Sequence, residues 1–145
     1  STCEVKIHML HPDAVCPVRA TEASVGWAVL ALLDEPLTVH PGAWVMVSTG
    51  FSLEMSYGTE CQVRPRSGLT AKHGITVLNA PGTIDPDYRG EVKVLLYNTG
   101  VGHVIRPRDR IAQLVFARYL TPRLSQSVQL SATCRGTKGF GSTGQ

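Results

Sequence analysis

The sequence predicts an all-β fold, a sandwich or barrel of about ten short strands. Short apolar runs recur every ~8–12 residues with turn residues between them, which is typical of such folds. The turns are supplied by 14 glycines and 9 prolines among 145 residues. Hydrophobic residues make up 43% of the chain, which excludes a mostly disordered protein. Charged residues make up only 17%, which favours an oligomer that covers part of the surface.

The first half of the chain contains four candidate strands. Each is a short apolar run bounded by turn residues, as in the alternation of Ile7 with its polar neighbours Lys6 and His8. The four runs are residues 5–9, 44–48, 51–55 and 60–64.

The second half contains four more, at residues 75–78, 91–97, 103–105 and 111–116. The clearest is 91–97, because Val92, Val94 and Leu96 share one face. Its opposite face is also partly apolar, which predicts a central or interface strand.

Helical signals are few. The segment Ser67–His73 predicts one short helical turn, between Gly68 and Gly74. Residues 110–120 fit a helix or a strand equally well. The glycine-rich segment 136–144 predicts a mobile C-terminal arm.

The cysteines, the net charge and the hydropathy limit the compartment and the classes of partner that the sequence predicts. Cys3, Cys16, Cys61 and Cys134 form no CxxC pair, so reduced thiols in the cytoplasm are favoured over disulfides or zinc. The net charge of +3 comes with no long basic run, so direct nucleic-acid binding is not predicted. No apolar run approaches the ~20 residues of a membrane span, so no membrane partner is predicted.

Three segments combine residues with chemical potential. Residues 65–68 present a guanidinium, a hydroxyl and backbone N–H groups, which suit a phosphate or form an ordinary turn. Residues 79–90 predict a rigid hairpin whose Asp85 could orient a water or hold a metal, or make ordinary turn bonds. Residues 135–144 could wrap a polyphosphate and stack Phe140 on a base, or form a disordered tail.

Together these segments resemble the trimeric dUTPase family over most of the chain. Its motifs stand as PRSG at 65–68, GTIDPDYRG at 82–90, RDRIAQL at 108–114 and RGTKGFGSTG at 135–144. The resemblance implies a distorted jelly roll or β-barrel over residues 1–124 with one short helix. A mobile arm, residues 125–145, would close over an active site shared within a homotrimer.

The resemblance also implies a role for each matching residue. Asp85 would orient and deprotonate the attacking water, and Tyr88 would pack under the deoxyribose and exclude a 2′-hydroxyl. The uracil pocket would include Asn79, Thr83 and Ile84, and Lys93 would add main-chain contacts.

Further residues match ligands for the phosphate chain. A neighbouring subunit would contribute Arg66, Ser67 and Gly68, and Gln113 would lie on the phosphate side. The arm would close on the nucleotide through Arg135, Phe140, Gly141, Ser142 and Thr143. A Mg²⁺ ion would be held by the triphosphate and by waters, without a direct protein ligand.

Three positions depart from the family pattern. Ala28 stands where the first motif has an aspartate, which is expected to weaken metal placement. Arg108 and Lys138 stand where glycines are usual.

The resemblance implies Mg²⁺-dependent hydrolysis of dUTP to dUMP and pyrophosphate by water attack at the α-phosphate. This reaction would limit uracil in DNA and supply dUMP for dTMP synthesis. A dCTP deaminase is disfavoured, because Leu95 stands where that enzyme needs a glutamate. A catalytically weakened module that binds dUTP or another protein remains the alternative, and Ala28 is its support.

Overall fold

The computed structural model describes residues 3–141 and contains, in that range, eleven strands and one helix. The strands are β1 Lys6–Met9, β2 Trp27–Leu30, β3 Leu37–Val39, β4 Trp44–Ser48, β5 Phe51–Glu54, β6 Thr59–Arg64, β7 Ile75–Val77, β8 Gly82–Ile84, β9 Lys93–Asn98, β10 His103–Ile105 and β11 Arg110–Arg118. The helix α1 is Ser67–His73, as predicted. The predicted all-β class is confirmed.

The strands form four small antiparallel sheets. Their orders are β1-β5, β10-β3, β2-β11-β6-β8 and β4-β9-β7. Within the described range no sheet closes into a ring, so the fold is a distorted jelly roll. The strand β9 packs against both β3 and β11, which brings the sheets around one core.

The core confirms the predicted face of β9. Val92, Val94 and Leu96 are all buried, and they pack with Phe51 and Ile75 from neighbouring strands. The alternation that the sequence shows is therefore the alternation between core and outer face.

The strand β11 settles the ambiguity over residues 110–120. It runs from Arg110 to Arg118 and lies between β2 and β6. Leu114 and Val115 are consecutive residues in the regular part of this strand and are both buried, because neighbours cover both faces. A strand buried on both faces has no period-2 signal, so it could not be told from a helix.

The predicted hairpin at residues 79–90 is wrong in one respect. Its strand β8 pairs with β6, whereas β9 pairs with β4 and β7. The segment is therefore a loop between two sheets, which we call the β8–β9 loop (residues 85–92). Local sequence shows that a turn occurs, but pairing partners depend on distant strands.

A buried amide joins three parts of the fold. The Asn98 side-chain nitrogen donates to the carbonyls of Val39 at 2.8 Å and Val101 at 2.6 Å. Its side-chain oxygen accepts from the Gly100 N–H at 2.9 Å. With every polar atom paired, burial of Asn98 ties β3 to β9 and its following turn.

Cys61 is a packing residue of the core. It is fully buried on β6, and burial, with a smaller contribution from the Glu60 carboxylate, raises the pKa of its thiol to about 12. The thiolate is therefore suppressed. Within residues 3–141, we find no helix with the length and hydropathy needed to span a bilayer.

The first prediction concerns Arg108, which adopts a left-handed φ of 68° at a position where the resemblance implies a glycine. We expect Arg108→Gly to raise the free energy of unfolding by about 0.5–1 kcal/mol, because relief of the left-handed strain exceeds the added entropy of the unfolded chain. Chemical denaturation measures it. The control is Arg106→Gly in the same turn, where φ is not positive and stability should fall. Equal losses in both variants would contradict this account.

The second prediction concerns the paired imidazoles of His73 and His103, whose centroids lie 4.3 Å apart. Burial and the neighbouring His73 lower the pKa of His103, against an opposing effect of Asp109. The folded state therefore resists protonation of His103, and stability is lost as pH falls through the unfolded value of 6.5.

We expect His103→Gln to lose less stability than the parent between neutral and mildly acidic pH. Denaturation midpoints across that range measure the difference. The control is His8→Gln on the exposed face of β1, which should follow the parent. Parallel curves for parent and His103→Gln would exclude this histidine as the cause.

Candidate active site

A cavity of about 340 Å³ opens beside the β8–β9 loop. It gathers six of the residues that the resemblance singles out: Asn79, Thr83, Ile84, Asp85, Tyr88 and Lys93. Asp85 directly follows β8 and is exposed, so its carboxylate is accessible at the cavity. The cavity thus combines an accessible carboxylate, an aromatic ring and an amide.

The base of the β8–β9 loop is held by hydrogen bonds to the turn after β4. The Gly50 N–H donates to the Glu91 carboxylate at 2.9 Å, and the Thr49 hydroxyl donates to the Val92 carbonyl at 2.5 Å. The Val92 N–H donates to the Phe51 carbonyl at 2.9 Å. These bonds fix the end of the loop where β9 begins.

A second set of contacts fixes the middle of the loop. The Arg89 guanidinium donates to the Pro86 carbonyl at 2.7 Å and lies 3.6 Å from the Glu54 carboxylate on β5. Because both charged groups are about half exposed, the ion pair adds little stability. Its contribution is to orient the loop that carries Asp85.

The ring of Tyr88 lies across Gly90. A side chain at Gly90 would overlap the Tyr88 hydroxyl and place its Cβ 2.5 Å from the ring carbon that bears it. That hydroxyl donates to the Glu91 carbonyl at 2.9 Å. Gly90 is therefore required for the ring position at the cavity.

A second cavity, of about 430 Å³, lies where β2, β11 and the start of α1 meet. It gathers the predicted phosphate ligands Arg66, Ser67, Gly68 and Gln113, together with Ala28. The register explains this, because Gln113 on β11 pairs with Ala28 on one side and with Arg64 on the other.

The Gln113 amide is fixed in place at this cavity. Its nitrogen donates to the Pro65 carbonyl at 3.0 Å. On the opposite side it packs on Gly26, where a Cβ would overlap the amide oxygen and lie 2.8 Å from the amide carbon. The absence of a side chain at Gly26 therefore leaves the space that the Gln113 amide occupies.

The residues predicted for one active site lie in two separate cavities and in the C-terminal arm. No lining residue is shared between the two cavities, and the arm residues Arg135, Phe140 and Gly141 line neither. Phe140 is fully exposed. The predicted Ser142 and Thr143 lie outside the described residues.

Sequence reasoning missed several lining residues. Glu91 and Leu95 line the first cavity, and they could have been found because they share the outer face of 91–97 with Lys93. Arg19 and Arg110 line the second cavity. Arg110 stands inside a family motif, whereas Arg19 carries no local sequence signal.

The described residues offer no preformed metal centre. Among residues 3–141, no three His, Cys, Asp or Glu side chains come together in a way that could hold a metal ion. The second cavity is lined by no carboxylate. An ion such as Mg²⁺, which prefers oxygen ligands and keeps several waters, would need a bound phosphate group to complete its ligands here.

Curated relatives match the chain closely. The deoxyuridine 5′-triphosphate nucleotidohydrolase of Desulfotalea psychrophila is 54% identical, covering 88% of this chain and 86% of its own. The enzyme of the same name from Rickettsia akari is 47% identical over 97% of both chains.

Solved structures share the fold. The dUTPase of Staphylococcus bacteriophage 80alpha, solved with dUpNHpp, has a TM-score of 0.87 at 24% identity and covers 99% of this chain and 100% of its own. A variant dUTPase of S. aureus phage phi11, described with a structural Mg(II) ion, has a TM-score of 0.80 at 18% identity and covers 89% of this chain and 99% of its own.

The family model named dUTPase matches residues 13–144. This chain therefore belongs to the dUTPase family of enzymes.

Proposed function

We propose that the protein hydrolyses dUTP to dUMP and pyrophosphate, which limits uracil in DNA and supplies dUMP for dTMP synthesis. One observation carries the proposal: the first cavity gathers Asp85, Tyr88, Asn79 and Thr83 on and beside one braced loop. The family membership and the names of the relatives support it. The cytoplasm as its place of action stays a prediction from the scattered cysteines.

Asp85 is the proposed general base. Its carboxylate accepts a proton from a water, whose oxygen bonds to the α-phosphorus as the bond from that phosphorus to the oxygen bridging to the β-phosphorus breaks. The electron pair leaves with pyrophosphate. Because Asp85 sits on a loop fixed by its neighbours, the carboxylate is positioned before substrate arrives.

The rest of the first cavity is proposed to read the nucleoside. Backbone groups of β8, with Thr83 and Ile84, and the amide of Asn79 face the uracil, and the region around Lys93 closes the far side. The Tyr88 ring supports the deoxyribose. A ring held this way leaves no room for a 2′-hydroxyl, which would favour dUTP over UTP.

The second cavity is proposed to hold the phosphate chain. Arg66, Ser67, Gly68 and Gln113 offer charged and neutral donors there. Guanidiniums bind phosphate oxygens through two parallel hydrogen bonds, so they both neutralise and align the chain.

Mg²⁺ is proposed as the cofactor, carried by the substrate. When bound, it would neutralise phosphate charge and polarise the phosphate oxygens. The residues of the second cavity fit this arrangement, since Arg66, Ser67 and Gln113 supply donors to the phosphates that would hold the ion.

A homotrimer with shared active sites is proposed because the two cavities of one chain share no lining residue. A neighbour's second cavity would complete the first. The outer face of the β4-β9-β7 sheet supports an interface: Trp44, Met46 and Leu78 are about half exposed beside Leu95 and Tyr97. Such a face is typical of a subunit contact.

The arm supports the same assembly. Within the described range, no hydrogen bond joins residues 120–141 to the rest of the chain. The apolar side chains Val128 and Leu130 of the arm are almost fully exposed. We propose that the arm, residues 125–145, closes over a neighbour's site with Arg135 near the phosphates and Phe140 on the uracil; Gly141, Ser142 and Thr143 complete that contact.

The alternative is a weakened enzyme that binds dUTP or a protein partner. The absence of a carboxylate beside Ala28 in the second cavity favours it.

An assay of pyrophosphate release from dUTP, run beside dCTP, dTTP and UTP, distinguishes the active enzyme from this alternative. Release from dUTP alone supports the enzyme, whereas tight dUTP binding without release supports the alternative.

The third prediction tests the general base. We expect Asp85→Asn to lower kcat at least ~100-fold, because the amide cannot accept the proton from water. Steady-state pyrophosphate release measures it. The matched control is Asp87→Asn on the same loop, which does not line the cavity and should change kcat little. A fully active Asp85→Asn would exclude this role.

The fourth prediction tests the support of the sugar. We expect Gly90→Ala to displace the Tyr88 ring and lower kcat/KM for dUTP by ~10–100-fold. Selectivity against UTP should fall as well. Kinetics with both nucleotides measure this, with Gly102→Ala as control, because a Cβ there meets nothing within 4 Å. Unchanged selectivity would show that the ring position does not discriminate the sugar.

A further inference from the structure

Glu91 lines the first cavity, and the reaction proposed above gives its carboxylate no task. Both its side chain and its main chain nevertheless make hydrogen bonds that bear on the site. The carboxylate accepts the Gly50 N–H at 2.9 Å, and the backbone carbonyl accepts the Tyr88 hydroxyl at 2.9 Å. One residue therefore joins the turn after β4 to the ring that is proposed to support the deoxyribose.

The turn that receives this side chain is rigid. Gly50 is buried and has a left-handed φ of 81°. A Cβ there would lie 2.7 Å from a carbon of Ala14 and 2.7 Å from a carbon of Leu32, so the turn is packed against two other segments of the chain. The Gly50 carbonyl also accepts the Leu10 N–H at 2.7 Å. The Gly50 N–H is thus a fixed point, and as a buried donor it requires an acceptor.

The peptide group between Glu91 and Val92 connects this fixed point to the ring. A trans peptide group is planar, so its carbonyl and its N–H point in opposite directions. The N–H of this group donates to the Phe51 carbonyl at 2.9 Å, while its carbonyl accepts the Tyr88 hydroxyl. The bond from the Glu91 side chain to Gly50 holds the α-carbon next to this plane. The carbonyl that receives the hydroxyl therefore has a defined place.

We propose that Glu91 is a positioning residue for sugar recognition, because its carboxylate reaches the Gly50 N–H and so sets the place of the carbonyl that holds the Tyr88 ring. The proposal rests on the proposed function, since it concerns the deoxyribose of the same substrate. The reach of the side chain is what matters, not its charge toward the nucleotide. Discrimination between dUTP and UTP then depends in part on Gly50, which does not line the cavity.

Two conservative variants separate reach from charge. Glu91→Gln keeps the length of the side chain and offers an amide oxygen to the Gly50 N–H, but it carries no charge. Glu91→Asp keeps the charge but is one methylene shorter, so it no longer reaches the turn. Steady-state kinetics of the full chain with dUTP and with UTP, at enzyme concentrations high enough to detect slow release, give the ratio of the two kcat/KM values.

We expect the ratio of Glu91→Gln to lie within ~2-fold of the parent, and that of Glu91→Asp to be ~5–10-fold lower. The loss arises because the Tyr88 ring is displaced and no longer excludes the 2′-hydroxyl. A smaller fraction of folded protein would lower kcat/KM for both nucleotides equally and leave the ratio unchanged. The ratio therefore distinguishes positioning from a general loss of stability.

A neighbouring bond supplies the matched control. Thr49→Val removes the hydroxyl that donates to the Val92 carbonyl, so it breaks a second link between the same turn and the start of β9. The bond from Glu91 to Gly50 is left in place. We expect this variant to unfold at a lower denaturant concentration than the parent but to keep the parental ratio.

A double variant tests whether Glu91 acts through Tyr88. Tyr88→Phe removes the hydroxyl that the Glu91 carbonyl accepts. In that background, Glu91→Asp should lower the ratio by no more than ~2-fold further, because the connection is already broken. Contacts that act through one another are not additive, whereas independent effects multiply.

The inference would be overturned by a parental ratio in Glu91→Asp, or by a ratio in Glu91→Gln as low as in Glu91→Asp. A loss in Thr49→Val as large as in Glu91→Asp, or independent losses in the double variant, would overturn it as well. Each of these results leaves the proposed function standing, because the parent still hydrolyses dUTP. A parent that releases no pyrophosphate from dUTP would overturn both.

Discussion

The antiparallel pairing of β11 with β2 and β6 is the constraint on which the rest of the structure depends. It places Gln113 between Ala28 and Arg64, and it leads β6 directly into the arginine, serine and glycine that open α1. On the far side of β6, pairing with β8 puts Ile84 opposite Cys61 and so sets where Asp85 leaves the sheet. Because side chains alternate along a strand, a shift of one residue would turn both sets of functional groups away from their cavities. The buried Leu114 on β11 opposes such a shift, since it would then face the wrong side of the sheet.

The two cavities are built by different physical means. The first depends on a loop held by hydrogen bonds from the turn after β4 and by Arg89, so its carboxylate and ring are positioned by backbone contacts. The second depends on sheet register and on Gly26, which lets the Gln113 amide approach the chain. Its character is polar and basic, because its lining residues include arginines, serines and Gln113 but no acidic residue. A nucleotide suits this division, because its base and sugar are read by shape whereas its phosphates are bound by charge.

The surface of the chain supports the proposed assembly into a homotrimer. An apolar sheet face and an arm with exposed apolar side chains would be costly for an isolated protein, and the low content of charged residues fits a molecule that covers them. The same assembly would bring the first cavity of one subunit to the second cavity of another. Packing and catalysis therefore point to one arrangement.

Local patterns in the sequence were enough to predict the class of fold, the buried face of β9, the helix α1 and the contiguous motifs that carry Asp85, Tyr88 and Arg66. Each is local, since alternation, helix-ending glycine and motif spacing are read within about ten residues. They did not predict β2 and β3, nor the pairing partners of β8, which depend on strands distant in sequence. Residues 28, 66 and 113 meet at the second cavity only in the folded chain, because their proximity comes from strands that are distant in sequence. A site whose residues lie in one segment can be predicted from sequence. A site whose residues come from several strands depends on the free energy of pairing and packing those strands.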